Sequence, residues 1–171
     1  MPSEIERKFI VPLAHHHLFL GREGGTEMVQ AYLSTNPDCT VRIRVTKTGN
    51  EELAKVTIKG RPTDGGMVRS EWEWDVPVGD AREAIDRFNP PSLHKTRHVV
   101  QHGDDTWEVD VLRVGGQHLV VAEYEAPTLA QVQNVTLPVW VGRDVTGDAT
   151  FIMSTLTTEA ERDAAWRKAY L

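Results

Sequence analysis

The sequence contains only one cysteine, Cys39, so it cannot form an intrachain disulfide. A lone cysteine with no neighbouring activation motif indicates an inert thiol in a reducing compartment. The chain also lacks an apolar run of membrane-spanning length, because its best apolar stretch near the N-terminus is interrupted by His15, His16 and His17. We therefore expect no signal peptide, no membrane partner and a cytoplasmic location.

An excess of basic residues is absent as well. The chain has 25 acidic and 19 basic residues and a formal net charge of −6. This balance speaks against a nucleic-acid backbone as the main partner, since such domains usually carry a basic surface. It leaves open a small anion held in a local basic cavity. No repeat, low-complexity tract or linker divides the 171 residues, so 1–171 is predicted to be a single domain.

Short segments of alternating polarity, separated by turn residues, are typical of antiparallel β-structure. They predict eight strands, at 5–11, 27–33, 40–47, 54–59, 69–76, 94–101, 106–113 and 118–125. A short helix is predicted after Pro12, another over 81–88 with Asp80 as its cap, and a third at the C-terminus. The last is predicted to begin with a capping box formed by Thr158 and Glu161.

Charged residues of one sign occur at alternate positions along most of these strands. Alternate side chains of a strand emerge on one face, so each charged set shares a face, opposite apolar or aromatic neighbours such as Trp72 and Trp74. The set comprises fourteen charges: Glu4, Glu6, Lys8, Arg42, Arg44, Lys59, Glu71, Glu73, Lys95, Arg97, Glu108, Asp110, Glu123 and Glu125.

Two architectures accommodate this pattern. In one, a sandwich or half-open sheet exposes its charged face to water, as antiparallel sheets commonly do. In the other, the strands close into a barrel whose interior carries the charges and whose apolar outer faces pack under helices. Adjacent like charges on a solvated face cost free energy, which favours the barrel. The predicted fold class is therefore mainly β (α+β), an eight-stranded antiparallel β-barrel or tunnel with a charged interior and flanking helices.

A lining with basic and acidic walls fits an oligophosphate bound together with a divalent metal. Arginine and lysine neutralise phosphate oxygens. Carboxylates alone would repel the phosphates, but Mg2+ or Mn2+ takes carboxylate and phosphate oxygens together. We expect the empty tunnel to stay wet and to be stabilised by its ligand.

The opening "EIERKF" resembles the signature of the CYTH superfamily, also called triphosphate tunnel metalloenzymes. The segments "QAYLS", "VRIRV", "TIKG", "EWEWD", "HKTRH", "WEVDV", "AEYEA" and "GRDVTGD" follow in the order of that family, so the resemblance covers about residues 3–155. It implies an eight-stranded tunnel that hydrolyses or cyclises triphosphates with Mg2+ or Mn2+. The chain departs from bacterial relatives at 151–153, where it has "FIM" in place of two aromatic residues and an asparagine.

The resemblance also implies residue roles. Metal ligands are expected at Glu4, Glu6, Asp110, Glu123 and Glu125. Substrate-binding residues are expected at Lys8, Tyr32, Arg42, Arg44, Lys59, Lys95 and Arg97, with Tyr32 equally readable as a packed aromatic. Catalytic roles fall on Lys8, Lys95, Arg97 and Glu123, while Glu71 and Glu73 are expected to orient basic side chains by ion pairing.

No histidine shares the charged face, since His94 and His98 alternate with Lys95 and Arg97. A metal-bound water is therefore the expected nucleophile, with basic residues stabilising the transferring phosphoryl group. Inorganic tripolyphosphate is the expected substrate. Class IV adenylate cyclase, thiamine triphosphatase and a non-catalytic sensor of polyphosphate or nucleoside triphosphate are alternatives. The substrate, the metal preference and the choice between monomer and homodimer stay open.

Overall fold

Eight antiparallel strands close into a barrel in the computed structural model, which describes residues 2–171. The strands are β1 (Ser3–Ile10), β2 (Thr26–Asn36), β3 (Cys39–Thr48), β4 (Glu51–Thr63), β5 (Val68–Val76), β6 (Ser92–His102), β7 (Asp105–Val114) and β8 (Gln117–Glu125). All eight predicted strands are present, and most extend one to four residues beyond the predicted bounds. The barrel, rather than the sandwich, is confirmed.

The strand order around the barrel is β1-β5-β4-β3-β2-β6-β7-β8. Strands β2 to β5 form one meander of sequential neighbours, and β6 to β8 form another. Strand β1 lies between β5 and β8, the last strand of each meander. It pairs with β5 through Ser3–Ile5 and with β8 through Glu6–Ile10. This closure brings the N-terminal charges beside residues more than a hundred positions away in sequence.

The inner face of the barrel is divided into a charged part and an apolar part. Continuing the alternation of the charged residues along β1, β6, β7 and β8 leads to Ile10, Leu93, Leu112 and Val121, all nearly or fully buried. These residues form a core cluster with Phe151, Leu156 and Ala165 of the C-terminal segment. The charged face therefore does not run the whole length of the barrel, because one end is filled by apolar packing.

Apolar outer faces pack under flanking segments, as predicted. Phe9, Trp107 and Val120 pack with Phe19 and Trp140. On the opposite side, helix α1 (Val78–Phe88) covers strands β3 to β5 through a cluster that includes Ile43, Val45, Ala54 and Ala81. Trp72 and Trp74, on the outer face of β5, are 37% and 51% exposed, so this face is only partly covered.

Helix α1 begins earlier than predicted. Its N-cap is Pro77, which has the extended dihedral angles φ −58° and ψ 134° and makes no side-chain capping bond. Asp80 therefore lies inside the first turn and is not the cap, and its charge there suits the positive end of the helix. The segment after Pro12 is a 3-10 helix over Leu13–Leu18. Sequence reasoning missed α2 (Leu129–Gln133) and three 3-10 turns, which are Asp64–Gly66, Ala149–Phe151 and Met153–Thr155.

The C-terminal helix α3 (Glu159–Tyr170) begins with the predicted capping box. Thr158 Oγ1 accepts a bond from the Glu161 backbone N–H at 3.2 Å, and the Glu161 carboxylate accepts one from the Thr158 N–H at 2.8 Å. Both contacts satisfy backbone donors that the helix leaves free.

Replacing Thr158 by alanine is expected to lower the free energy of unfolding by about 1 kcal/mol, the usual cost of losing a helix cap. Thermal unfolding of the variant measures this cost. The matched control is Thr157→Ala, because the Thr157 hydroxyl makes only a 3.3 Å contact with Glu161. Equal destabilisation by both substitutions would contradict the special role of the cap.

Within residues 2–171, we find no helix with the length and hydropathy needed to cross a membrane.

Candidate functional site

A cavity of about 600 Å³ occupies the charged part of the barrel. Thirteen of the fourteen alternating charges line it; the exception is Asp110. The predicted charged interior is thus confirmed. Tyr32 also lines the cavity, whereas no histidine does among the described residues. A volume of this size is typical of small-molecule sites.

The three charges of β1 face partners from strands on both sides. Glu4 accepts a bond from Lys59 Nζ at 2.5 Å, and Lys8 Nζ lies 2.9 Å from Glu123. Glu6 has a weaker contact, since its nearest cation, Lys8 Nζ, is 3.9 Å away. Antiparallel pairing produces this arrangement, because Lys8 lies opposite Glu123 and Glu6 lies opposite Glu125.

Arg97 is the centre of the densest ion-pair network. Its guanidinium contacts Asp110 through Nε and Nη2, each at 2.7 Å, and Glu123 at 2.7 Å, and it also pairs with Glu108. Lys95 Nζ lies 2.6 Å from the same Asp110 carboxylate, which has no exposed surface. Both Asp110 oxygens are therefore engaged by side chains that themselves reach the cavity.

A second network lies on β3, β4 and β5. Glu73 accepts bonds from Arg44 at 3.1 Å, from Lys55 at 2.7 Å and from Thr57 at 2.9 Å. Arg42 Nη2 donates to Thr57 Oγ1 at 3.2 Å. Glu71 likewise contacts Lys59 at 2.9 Å. Both carboxylates thus contact basic side chains of the neighbouring strands, the geometry expected if they orient them.

The carboxylates of the site differ in their proton affinity. Burial raises the pKa of Glu6 to about 8, and the nearby Glu123 and Glu4 charges add to the effect. Burial followed by neighbouring carboxylates also raises the pKa of Glu125. The pKa of Glu123 instead lies well below its usual range: burial opposes this, but Lys8, Arg97 and Lys95 more than compensate. At Glu6, burial and the neighbouring carboxylates therefore outweigh the opposing charges of Lys8 and Lys59, whereas Glu123 stays ionised.

The charges lining the cavity nearly cancel, with seven basic and eight acidic side chains. Within residues 2–171, no three carboxylate, imidazole or thiol groups are already gathered as a metal site, and Glu4 and Glu123 each contact a basic side chain. A polyanion such as a triphosphate could not be neutralised by this lining unless an additional cation entered with it. The donor set nonetheless fits a hard divalent cation, since Glu4, Glu6, Glu123 and Glu125 supply only oxygen ligands.

Several lining residues were missed by sequence reasoning. Arg69 reaches the cavity while donating to the Gly60 carbonyl at 2.5 Å and to Thr40 Oγ1 at 2.7 Å. Each of the three missed polar residues lies two positions before a predicted charged residue: Thr40 before Arg42, Thr57 before Lys59 and Arg69 before Glu71. Residues two positions apart share a strand face, and this spacing was the signal that would have found them.

The C-terminal segment contributes a further part of the lining, through Val145, Gly147, Asp148, Ile152, Met153 and Ser154. Gly147 packs against the turn at Gly66, where an added Cβ would lie 2.4 Å from the Gly147 Cα. The φ angle is 95° at Gly66 and 74° at Gly147, so neither position accepts a larger residue without strain. The divergent "FIM" segment belongs to this wall, with Phe151 fully buried and Ile152 and Met153 lining the cavity.

Comparison with known proteins agrees with this geometry. The family model of the CYTH domain matches residues 2–144. The inorganic triphosphatase of Acetivibrio thermocellus is 35% identical over 157 residues, which cover 91% of this chain and 94% of that protein.

Solved structures give the same result. The inorganic triphosphatase NE1496 is 25% identical, with a TM-score of 0.58 over 92% of this chain and 95% of that chain. The PH1819 protein from Pyrococcus horikoshii OT3 shares the fold, with 18% identity and a TM-score of 0.55 over 76% of this chain and 82% of that chain. By the family match and the identity to its bacterial relative, the chain belongs to the CYTH domain family.

Proposed function

We propose that this protein is a metal-dependent hydrolase of triphosphate compounds that converts inorganic tripolyphosphate to pyrophosphate and phosphate. The observation that carries the proposal is the cavity, in which cations and carboxylates from seven strands line one space of about 600 Å³. The 35% identity to an inorganic triphosphatase supports tripolyphosphate over other triphosphates.

The basic residues bind the phosphates. Lys8, Arg42, Arg44, Lys59, Lys95 and Arg97 all reach the cavity, and Tyr32 lies among them. Guanidinium groups can donate two parallel bonds to one phosphate. Lys8, Lys95 and Arg97 also stabilise the charge that develops on the transferring phosphoryl group, since cations already held in place act without reorganising.

The metal ligands are Glu4, Glu6, Glu123 and Glu125. When bound, Mg2+ or Mn2+ supplies a Lewis acid that offsets phosphate charge and activates water. Burial together with the neighbouring Glu123 and Glu4 charges raises the pKa of Glu6, and a cation bound at this position would relieve both effects. Glu123 stays ionised between Lys8 and Arg97, so its carboxylate can also accept a hydrogen bond from the attacking water.

Asp110 takes a different role from the one the resemblance implies. Its two oxygens are held by Lys95 and Arg97, and it does not line the cavity. We therefore assign it to positioning these two cations, and not to the metal. Glu71 and Glu73 position Lys59 and Arg44 in the same way.

A substrate panel tests the function. Tripolyphosphate, ATP and thiamine triphosphate are each incubated with Mg2+ or Mn2+, and phosphate, pyrophosphate and cyclic AMP are measured separately. We expect phosphate and pyrophosphate from tripolyphosphate. Cyclic AMP from ATP would identify a cyclase instead, preferential hydrolysis of thiamine triphosphate would identify a thiamine triphosphatase, and no turnover of any compound would favour a sensor.

Removing divalent cations with EDTA is expected to abolish hydrolysis of tripolyphosphate, because the lining alone is close to neutral and cannot offset the charge of the substrate. Activity should return when Mg2+ or Mn2+ is added in excess of the chelator. Hydrolysis that persists in EDTA after dialysis would contradict metal dependence. The homodimer and the cytoplasmic location stay predictions.

A further inference from the structure

The wall of the cavity formed by β2 and β3 has buried polar atoms without partners. They are Gln30 Oε1, Arg42 Nε and Arg44 Nε, which make no hydrogen bond to any group within residues 2–171. The two strands place them together, since Gln30 lies opposite Arg44 and Tyr32 lies opposite Arg42. Leaving such atoms unpaired costs free energy, and native structures tolerate it mainly where a ligand or water completes the bonding.

Gln30 is the buried residue of this wall that the roles described above do not use. It has no exposed surface, and its side chain makes one hydrogen bond, in which Nε2 donates to Tyr32 Oη at 2.8 Å. A glutamine in a barrel interior gives up its hydration. A single neutral bond recovers only part of that cost, so its presence calls for a reason other than stability.

The direction of this bond determines what the tyrosine can do. The Tyr32 oxygen already accepts from Gln30, so its own hydrogen is left to donate to another group. Tyr32 lines the cavity, with the cations Arg42, Lys59 and Lys8 close enough to affect its titration. Burial raises the pKa of the phenol, which therefore keeps its proton.

We propose that Gln30 is a positioning residue, which directs the Tyr32 hydroxyl so that it donates a hydrogen bond to a phosphate oxygen of the substrate. The inference rests on the proposed function, because it takes the ligand of the cavity to be a triphosphate. It distinguishes two roles on one strand: Tyr32 contacts the substrate, and Gln30 acts only through Tyr32.

The experiment compares Gln30→Leu, Tyr32→Phe and the double variant in hydrolysis of tripolyphosphate with Mg2+. A hydrogen bond to a charged group is worth enough that losing it raises KM about tenfold or more. We expect this change in Tyr32→Phe, with a smaller effect on kcat. Gln30→Leu should raise KM about fivefold or more, and the double variant should match Tyr32→Phe, since Gln30 has nothing to position once the hydroxyl is gone.

Gln101→Leu is the matched control. Its Nε2 also donates to a hydroxyl, Thr106 Oγ1, at 2.8 Å, but the residue is exposed and outside the cavity. This variant should keep the wild-type KM. A second variant, Gln30→Glu, retains the size of the side chain and makes it an acceptor for the Tyr32 hydrogen, so it too should raise KM.

Either of two results would overturn the inference. The first is that folded Gln30→Leu has a KM within about twofold of wild type. The second is that the effects of the two single substitutions multiply in the double variant. If Gln30→Leu does not fold, an unchanged KM in folded Gln30→Glu is equally decisive. Failure of the wild-type protein to hydrolyse tripolyphosphate would refute the proposed function instead. Calorimetric titration with tripolyphosphate then still tests Gln30, because the same pattern must appear in Kd.

Discussion

Replacing Glu6 by glutamine is expected to lower kcat for tripolyphosphate by about 10²- to 10³-fold, the scale seen when one electrostatic group of an active site is removed. The same substitution should leave the protein at least as stable as the wild type. Glu6 is crowded by Glu123 and Glu4, and its nearest cation is 3.9 Å away. Without metal, a carboxyl with a pKa of about 8 is mostly protonated at neutral pH, so the amide replaces a neutral group and breaks no close ion pair.

The matched control is Glu4→Gln, the same substitution two positions along the same strand face. Glu4 contacts Lys59 at 2.5 Å. The pKa of its carboxyl is lowered, because Lys59 more than offsets the opposing effect of burial. We therefore expect Glu4→Gln to lose both activity and stability, whereas Glu6→Gln loses activity alone.

The measurements are steady-state kinetics over a range of Mg2+ concentrations and thermal unfolding in EDTA. Glu6→Gln should require more Mg2+ for half-maximal rate. Near-normal turnover at ordinary Mg2+ concentration would remove Glu6 from the metal site, and a large fall in melting temperature would refute the account of its electrostatics.

Asp110→Asn is expected to be the most destabilising single substitution in the site, by about 3 to 5 kcal/mol, the cost of removing one partner from a buried ion pair. It leaves Lys95 and Arg97 beside a neutral side chain that has no exposed surface. For a domain of this size we expect the melting temperature to fall by roughly 10 °C. Activity should fall too, since both cations lose the group that aims them.

Asp144→Asn provides the comparison. Asp144 also pairs with an arginine, Arg7 at 2.7 Å, but its side chain is 42% exposed. Exposed pairs of this kind contribute about 0 to 1 kcal/mol. If Asp110→Asn were as mild as Asp144→Asn in stability and instead raised the Mg2+ requirement, Asp110 would be a metal ligand after all.

Much of this protein could be predicted from local patterns. Period-2 alternation assigned all eight strands and placed thirteen of fourteen charges on the cavity wall. The rule is local, since a strand's side chains alternate whatever lies beside it. The capping box of α3 was predictable for the same reason, because Thr158 and Glu161 lie within one helical turn. The same rule would have found Arg69, because it lies two positions before Glu71 and four before Glu73 and so shares their face of β5.

Asp110 shows where local patterns stop. The alternation along β7 predicts which face of the strand Asp110 occupies. It does not predict how deeply Asp110 is buried, or that two cations from β6 contact it. Gln30 carries no charge, so nothing in its alternation distinguishes it from a packing residue. Its importance depends on the unpaired atoms around it, which exist only once β2 and β3 form one wall.

The sequence by itself determined the strands, the charged face and the family, because these depend on residue type and spacing along one segment. Only the tertiary structure decided which charges meet. Barrel closure sets β1 beside β8, so that Lys8 faces Glu123 while Glu6 faces another carboxylate. Contacts between strands distant in sequence follow from register and closure, which no single segment encodes. They leave Glu6 without a close cation and Asp110 with two, and so separate the proposed metal ligand from the residue that positions the cations.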